Sequence, residues 1–306
     1  MPELRFDNRV VIVTGAGNGL GRSHALQFAD RGARVVVNDT GGSGAGEGGD
    51  RATADRVVDE IVAAGGEAVA SHDSVTEGDR IVQCALDNFG QVDVLINNAG
   101  ILRDRSFHKM TEEDWDQVYN VHVKGAFRVT HAAWPHLREQ QYGRVVFTAS
   151  AAGIYGNFGQ ANYAMAKLGL HGLAQSLAQE GAGRNILVNT IAPIAASRLT
   201  ATIMPADMLE QLQPDFVSPL VLKLCHENHE GSGGLYEAGA GWIGALRWER
   251  SRGHGFPVEE APTAEAIAAE WDQITNFDNA DHPASGQEAI TAIMANLQNR
   301  GGSRGA

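Results

Sequence analysis

An α/β fold with a doubly wound parallel sheet and helices on both faces is predicted by three features of the 306-residue sequence. Short β-rich apolar runs alternate with stretches of helix length, the pattern of βαβ units. The first run passes directly into a glycine-rich turn and then an apolar helix. Hydrophobic residues make up 43% and charged residues 20%, a balance that supplies one large core.

Taken in order, the predicted strands are Val10–Val13, Arg34–Asn38, Val92–Ile96, Arg144–Thr148 and Ile186–Ile191. Residues Gly41–Gly49, mostly glycine, follow the second strand and read as a flexible surface insertion rather than a substrate contact. Beyond about Arg250 the composition changes, and Pro262-Thr263 precede Ile267, Trp271 and Ile274 at helical spacing. This gives a Rossmann-type domain over residues 1–250, with the cofactor and substrate sites, and an appended helical tail over 251–306. The tail is expected to pack on the same domain or on a dimer mate. No internal repeat is visible.

The net charge of −13 disfavours nucleic acid and anionic membrane surfaces, and makes a small-molecule substrate the better expectation. Cys84 and Cys225 are too few for a disulfide framework and too scattered for a zinc site, so no metal is expected. No run approaches the roughly 18 apolar residues of a membrane span, and the start lacks a signal-peptide core. The chain ends Ser303-Arg304-Gly305-Ala306, without the peroxisomal tripeptide address, and a cytoplasmic location is expected.

The turn Thr14-Gly15-Ala16-Gly17-Asn18-Gly19-Leu20-Gly21 lies between the first strand and a helix bearing Ala25, Leu26, Phe28 and Ala29. Glycines there let the backbone approach a pyrophosphate, whose charge rests on the amides at the helix N-terminus. Asp39 closes the second strand, where a carboxylate accepts ribose hydroxyls and repels a 2′-phosphate. The cofactor expected is therefore NAD rather than NADP. Asp73, in Ser71-His72-Asp73-Ser74, is read either as an adenine-edge residue or as a helix N-cap.

Tyr163 and Lys167 stand one helical turn apart, on one face, so that the ammonium can lower the phenol's pKa toward working pH. Ser150, thirteen residues before Tyr163, ends the fourth predicted strand, and strand ends of open parallel sheets are where ligands bind.

Thr14–Gly21, Asn97-Asn98-Ala99-Gly100, Ser150, Tyr163 and Lys167 together resemble the short-chain dehydrogenase/reductase family. The segments Ile101–Phe107, Gly153–Tyr163 and Gly239–Gly244 resemble more closely the (3R)-hydroxyacyl-CoA dehydrogenase domain of the type 2 peroxisomal multifunctional enzymes. That likeness spans nearly the whole chain and implies NAD-dependent interconversion of (3R)-hydroxyacyl-CoA and 3-oxoacyl-CoA. It also implies a homodimer and an enoyl-CoA hydratase as functional partner. A steroid or other hydrophobic secondary alcohol is the alternative substrate. By the same resemblance Tyr163 is the acid/base, Lys167 binds ribose and tunes Tyr163, and Ser150 orients the carbonyl. Gly15, Asn18, Gly19, Leu20, Gly21, Asp39, Asp73 and Ser74 are expected on the nucleotide. Asn97, Ala99, Gly100, Pro193, Ile194 and Thr200 are expected to continue its site toward the nicotinamide.

Two departures stand out. His122, in His122-Val123-Lys124-Gly125, replaces the family's usual catalytic asparagine, and is read as catalytic through a proton-relay water or as structural. Pro193-Ile194 replaces the usual Pro-Gly ahead of the nicotinamide segment. Ala201–Phe216 is expected to form a substrate lid. Arg103, Arg105, Lys109, Arg247, Arg250 and Arg252 are candidates for a basic patch that meets the CoA phosphates.

Overall fold

The computed structural model describes residues 3–195 and 210–299. The chain divides into two compact units, Met1–Leu246 and Arg247–Ala306.

In the first unit, the strands β1 (Val10–Thr14), β2 (Arg34–Asn38), β3 (Glu67–Ser71) and β4 (Val94–Asn97) lead the chain order. They are followed by β5 (Gly143–Thr148), β6 (Ile186–Pro193), β7 (Leu235–Gly239) and β8 (Trp242–Leu246). Together they form one sheet in the order β3-β2-β1-β4-β5-β6-β7-β8, parallel except where β8 returns antiparallel to β7. β1, β2, β4, β5 and β6 lie within a sheet covered on both sides, which is why their sequences read as largely continuous apolar runs rather than alternating ones. In β1 the side chains still divide by parity. Val11 and Val13 join the core that holds Ala25 and Phe28 of α1 (Gly19–Asp30) and Val57 and Ile61 of α2 (Ala52–Ala63). Val10 and Ile12 join the opposite core. That core is closed by Ile81 of α3 (Gly78–Phe89), Val129 of α5 (Ala126–Gln140) and Leu170 of α7 (Ala161–Gly181). On the first face α8 (Ser218–Cys225) adds Val221 and Leu222.

The strand order reverses beside β1, whose neighbours are β2 on one side and β4 on the other. A crevice opens at such a switch point, outside the carboxyl ends of the strands. Two further helices border it. α4 (Glu112–Val118) starts with a reciprocal Thr111–Asp114 capping box and continues through a π-helical segment, Tyr119–Gly125, into α5. α6 (Ala151–Tyr155) is a single short turn ahead of α7.

The glycine-rich loop after β2 is not the free insertion expected. Leu102 N donates to Gly44 O at 2.9 Å, and Arg103 Nε donates to Ala45 O at 3.1 Å. At Gly41, with φ +71°, a Cβ would lie 2.1 Å from Asp50 O, so glycine is what lets the loop close on itself.

Among its described residues, the second unit contains α9 (Ala264–Ala269), α10 (Trp271–Ile274) and α11 (Gly286–Asn296), three short helices where one was expected. Glu270, at φ −99° and ψ 10°, breaks the helical path between the first two. Thr263 and Ser285 cap α9 and α11 through their hydroxyls, and Arg250 pairs with Asp281 at 2.8 Å. Among the described residues, no helix is long and apolar enough to cross a membrane.

Candidate active site

A cleft of about 1320 Å³ opens at the switch point. Its floor begins where β1 and β4 are stitched together. Thr14 Oγ1 accepts from the amides of Asn98 and Ala99 at 3.0 and 3.1 Å. Asn98 Nδ2 donates to Thr14 O and Gly15 O, at 2.9 and 3.1 Å, which fixes the outward curl of the glycine turn. At Gly15 a Cβ would lie 2.8 Å from Ala99 Cα, and at Gly21 it would lie 2.2 Å from Gly15 O. Among the described residues, no side chain caps the N-terminus of α1, and its first turn carries no acid. Its leading amides are thus left for an anionic group from outside the helix, and a pyrophosphate fits that donor set.

Asn18, Gly19, Leu20 and Gly21 line the cleft at this end, as does Asp39 one residue past β2. The Asp39 carboxylate accepts from Gly17 N at 2.9 Å and Gly41 N at 2.7 Å, which holds it in place beside the turn. Asp73 and Ser74 also line the wall. The capping role belongs to Ser74, whose hydroxyl accepts from Thr76 N, and not to Asp73.

At the other end of the cleft stand Ser150, Tyr163 and Lys167. Ser150 follows β5 and caps α6, accepting from Ala152 N at 3.2 Å. Tyr163 and Lys167 share the face of α7 turned to the cleft, and a Cβ at Gly153 would lie 2.8 Å from Leu168 N, so glycine there lets α6 sit close to α7. Lys167 is buried, donates to Thr148 O at 2.6 Å, and is pulled by that burial from 10.5 to about 7. Burial raises the Tyr163 phenol, and the charge of Asp104 adds to the effect, while a hydrogen bond with Ser150 works against it. The expected lowering of the phenol by Lys167 is therefore not the leading influence in this cleft. Desolvation dominates both groups.

The π-helical segment carries His122 to the cleft, where a wide turn shifts its register relative to the helices on either side. Its Nε2 lies 2.9 Å from Ile101 N and 2.8 Å from Ile101 O, and its ring meets the Tyr163 ring edge-on at 5.3 Å. Burial lowers its pKa to about 3, with the Lys167 charge adding to the effect, so the imidazole is neutral at physiological pH.

Other expected residues fall differently. Ala99, Gly100, Pro193 and Ile194 line the cleft, whereas Asn97 turns to the α5 side and donates to Thr130 Oγ1 at 2.9 Å. Strand parity explains the exchange, because the next residue, Asn98, is the one facing the turn. Thr200 and most of the expected lid, 201–209, lie outside the described residues. Arg103 and Arg105 are committed to Asp114, at 3.7 and 2.8 Å, instead of standing free for phosphates. Arg250 and Arg252 are engaged within the second unit, by Asp281 and by Asn279 O. The bracing by Thr14 and Asn98 was not expected from the sequence, and Gln160, at the end of the segment Gly153–Gln160, lines the cleft wall. A polar side chain just past the β4 strand was the available signal for Asn98.

Residues 9–207 match the short chain dehydrogenase family profile. The chain belongs to that family. As a short-chain dehydrogenase it is an oxidoreductase acting on CH–OH groups. It is 55% identical over 97% of its length to peroxisomal multifunctional enzyme A of Dictyostelium discoideum, of which it spans 67%. It is 52% identical over 97% of its length to the peroxisomal hydratase-dehydrogenase-epimerase of Neurospora crassa, of which it spans 33%. The full-length peroxisomal multifunctional enzyme type 2 of Drosophila melanogaster superposes with a TM-score of 0.82 at 42% identity, over 95% of this chain and 50% of that one. The short-chain dehydrogenase thus corresponds to one part of these longer proteins.

Proposed function

We propose that this short-chain dehydrogenase uses NAD to interconvert (3R)-hydroxyacyl-CoA and 3-oxoacyl-CoA. The observation that carries the reading is the convergence of Ser150, Tyr163 and Lys167 on the same cleft as an open helix N-terminus and Asp39. The likeness to multifunctional enzymes, one of them named for hydratase, dehydrogenase and epimerase activities, supports the substrate class.

The turn Gly15–Gly21 and the N-terminus of α1 would hold the pyrophosphate, Asp39 the adenosine ribose, and Gly100, Pro193 and Ile194 the nicotinamide end. When bound, the dinucleotide supplies the hydride acceptor. Ser150 Oγ holds the substrate oxygen, and Tyr163 Oη takes the hydroxyl proton during oxidation and returns it during reduction. Lys167 Nζ, fixed by Thr148 O, places a donor beneath Tyr163. His122 keeps Ile101 and the Tyr163 ring in place as a neutral imidazole, and its burial disfavours uptake of a second proton at neutral pH.

A homodimer, a hydratase that delivers the hydroxyacyl substrate, and a cytoplasmic location complete the proposal; light scattering and fractionation of producing cells test the first and last. For the activity itself, NADH formation is followed with (3R)- and (3S)-hydroxyacyl-CoA. Turnover of the (3R) epimer alone is expected. Inertness toward both, with activity on a steroid or cyclic alcohol, overturns the substrate assignment.

A further inference from the structure

Asp104 stands between two arginines and pairs with neither. Both Arg103 and Arg105 reach Asp114 instead, and among the described residues Asp104 has no basic partner within 4 Å. What its carboxylate does have is the Gln160 amide, with Gln160 Nε2 donating to Asp104 Oδ2 at 2.7 Å. Desolvation raises the Asp104 pKa, and this hydrogen bond opposes the rise. On its other side, Gln160 Oε1 accepts from Asn157 Nδ2 at 2.8 Å. Gln160 is 8% exposed, lines the cleft, and precedes Tyr163 by one helical turn.

An amide held between two neutral partners can turn over by 180° at little cost, because each end finds something to bond. A carboxylate removes that freedom, since it accepts and cannot donate. Asp104 must face Nε2, so Oε1 must face Asn157. Two capacities remain on the Gln160 side chain, one N–H and one oxygen lone pair, and the carboxylate decides the side on which each is offered. The hydrogen bonds Arg105 N to Gly159 O and Gln160 N to Asn157 O hold the surrounding loop.

From this geometry we infer that Asp104 is a positioning residue which sets the orientation of the Gln160 amide, and that Gln160 binds a polar group of the substrate beside the reacting carbinol. The substrate class is a secondary alcohol that carries a carbonyl two carbons away, as a 3-hydroxyacyl thioester does. This deepens the proposed function and rests on its placement of the substrate alcohol at Ser150 and Tyr163. One turn of α7 separates Gln160 from Tyr163, so a donor there reaches an atom a few bonds from the oxygen that Tyr163 serves.

The test uses the full chain with NAD and two substrates: a (3R)-hydroxyacyl-CoA, and a plain secondary alcohol of similar length without the carbonyl. Gln160→Leu is expected to lower kcat/KM for the thioester about tenfold, the worth of one substrate hydrogen bond, and to change it less than about twofold for the plain alcohol. Asp104→Asn, which keeps an acceptor but permits the flipped amide, is expected to raise KM for the thioester about threefold relative to the plain alcohol, since loss of the charge that acts on Tyr163 falls on both substrates alike. Thermal melting separates both results from misfolding, and Asn157→Ala provides a second approach to the same amide. Equal losses on both substrates, or an unchanged KM in Asp104→Asn, would overturn the inference. If the wild type oxidises no acyl-CoA, the proposed function fails by itself. The same variants are then compared on whichever secondary alcohol it does oxidise, with and without a neighbouring carbonyl, and equal losses still overturn the role of Gln160.

Discussion

Lowering the pH from 7 to 5 should weaken the fold through two buried histidines, and replacing one of them isolates its share. His24 and His122 are fully buried, and that burial lowers both imidazoles from 6.5 to about 3. Each is a base whose folded pKa lies below its unfolded one. Above pH 6.5 neither state carries the proton and the group is neutral to stability. Below it the unfolded chain gains a proton that the folded chain refuses, and stability falls until the pH nears 3. A pH of 5 lies about 1.5 units below the pKa of 6.5 that the unfolded imidazole has, which at about 1.36 kcal/mol per unit amounts to about 2 kcal/mol for each histidine. Urea unfolding of the wild type and of His122→Asn at pH 7 and at pH 5 measures this. The variant leaves a smaller side chain and is weaker at both values, so only the change with pH is compared. That change should be about 2 kcal/mol smaller in the variant. Equal changes in the two proteins would refute the assignment of His122 as a histidine locked in its neutral form.

Three substitutions test the rest of the site. Tyr163→Phe should lower kcat by a factor on the order of 10² to 10⁴ while dinucleotide binding by fluorescence titration persists; activity within about tenfold of wild type would reject the proton-transfer role. Asp39→Ser removes the charge that opposes a 2′-phosphate, so the ratio of kcat/KM for NADP over NAD should rise at least about tenfold, and an unchanged ratio would count against the ribose assignment. Gly21→Ala drives a Cβ toward Gly15 O, a backbone atom 2.2 Å away, and should both lower the melting temperature and weaken NAD binding, with a wild-type titration curve as the contrary result.

The parts of the fold legible in the sequence were those where local chemistry and tertiary role coincide. β1, β2 and β5 are apolar because both faces of the sheet are covered, and the glycine turn is readable because only glycine permits its approaches. β3 was not named as a strand: Glu67–Ser71 lies at the sheet edge, is only partly buried and uses small residues. Tyr163 and Lys167 were visible because helical spacing alone puts them on one face. The partners of Arg103 and Arg105 were invisible, since Asp114 sits nine or more positions away and reaches them only through tertiary folding. The lead of desolvation over charge at Tyr163 was hidden for a similar reason. Spacing reveals that two groups are neighbours, but burial, which decides the sign here, is a property of the whole fold.

His122 shows how such a departure from the family pattern is accommodated. A straight α-helix from Glu112 to Gln140 would advance 100° at each residue, and the π-helical stretch at Tyr119–Gly125 alters that phase. The imidazole then fills the space beside Gly100, where an added Cβ would lie 2.4 Å from His122 Cε1. A ring larger than an asparagine side chain therefore fits only because residue 100 has no side chain. Its bond to Ile101 fastens the segment leading to Leu102 and Arg103, which in turn hold Gly44 and Ala45 of the loop after β2. One side chain under Tyr163 is thus linked through a single peptide segment to the loop beside Asp39. A substitution at His122 should accordingly disturb dinucleotide binding as well as turnover, even though the imidazole is placed at the reacting end of the cleft.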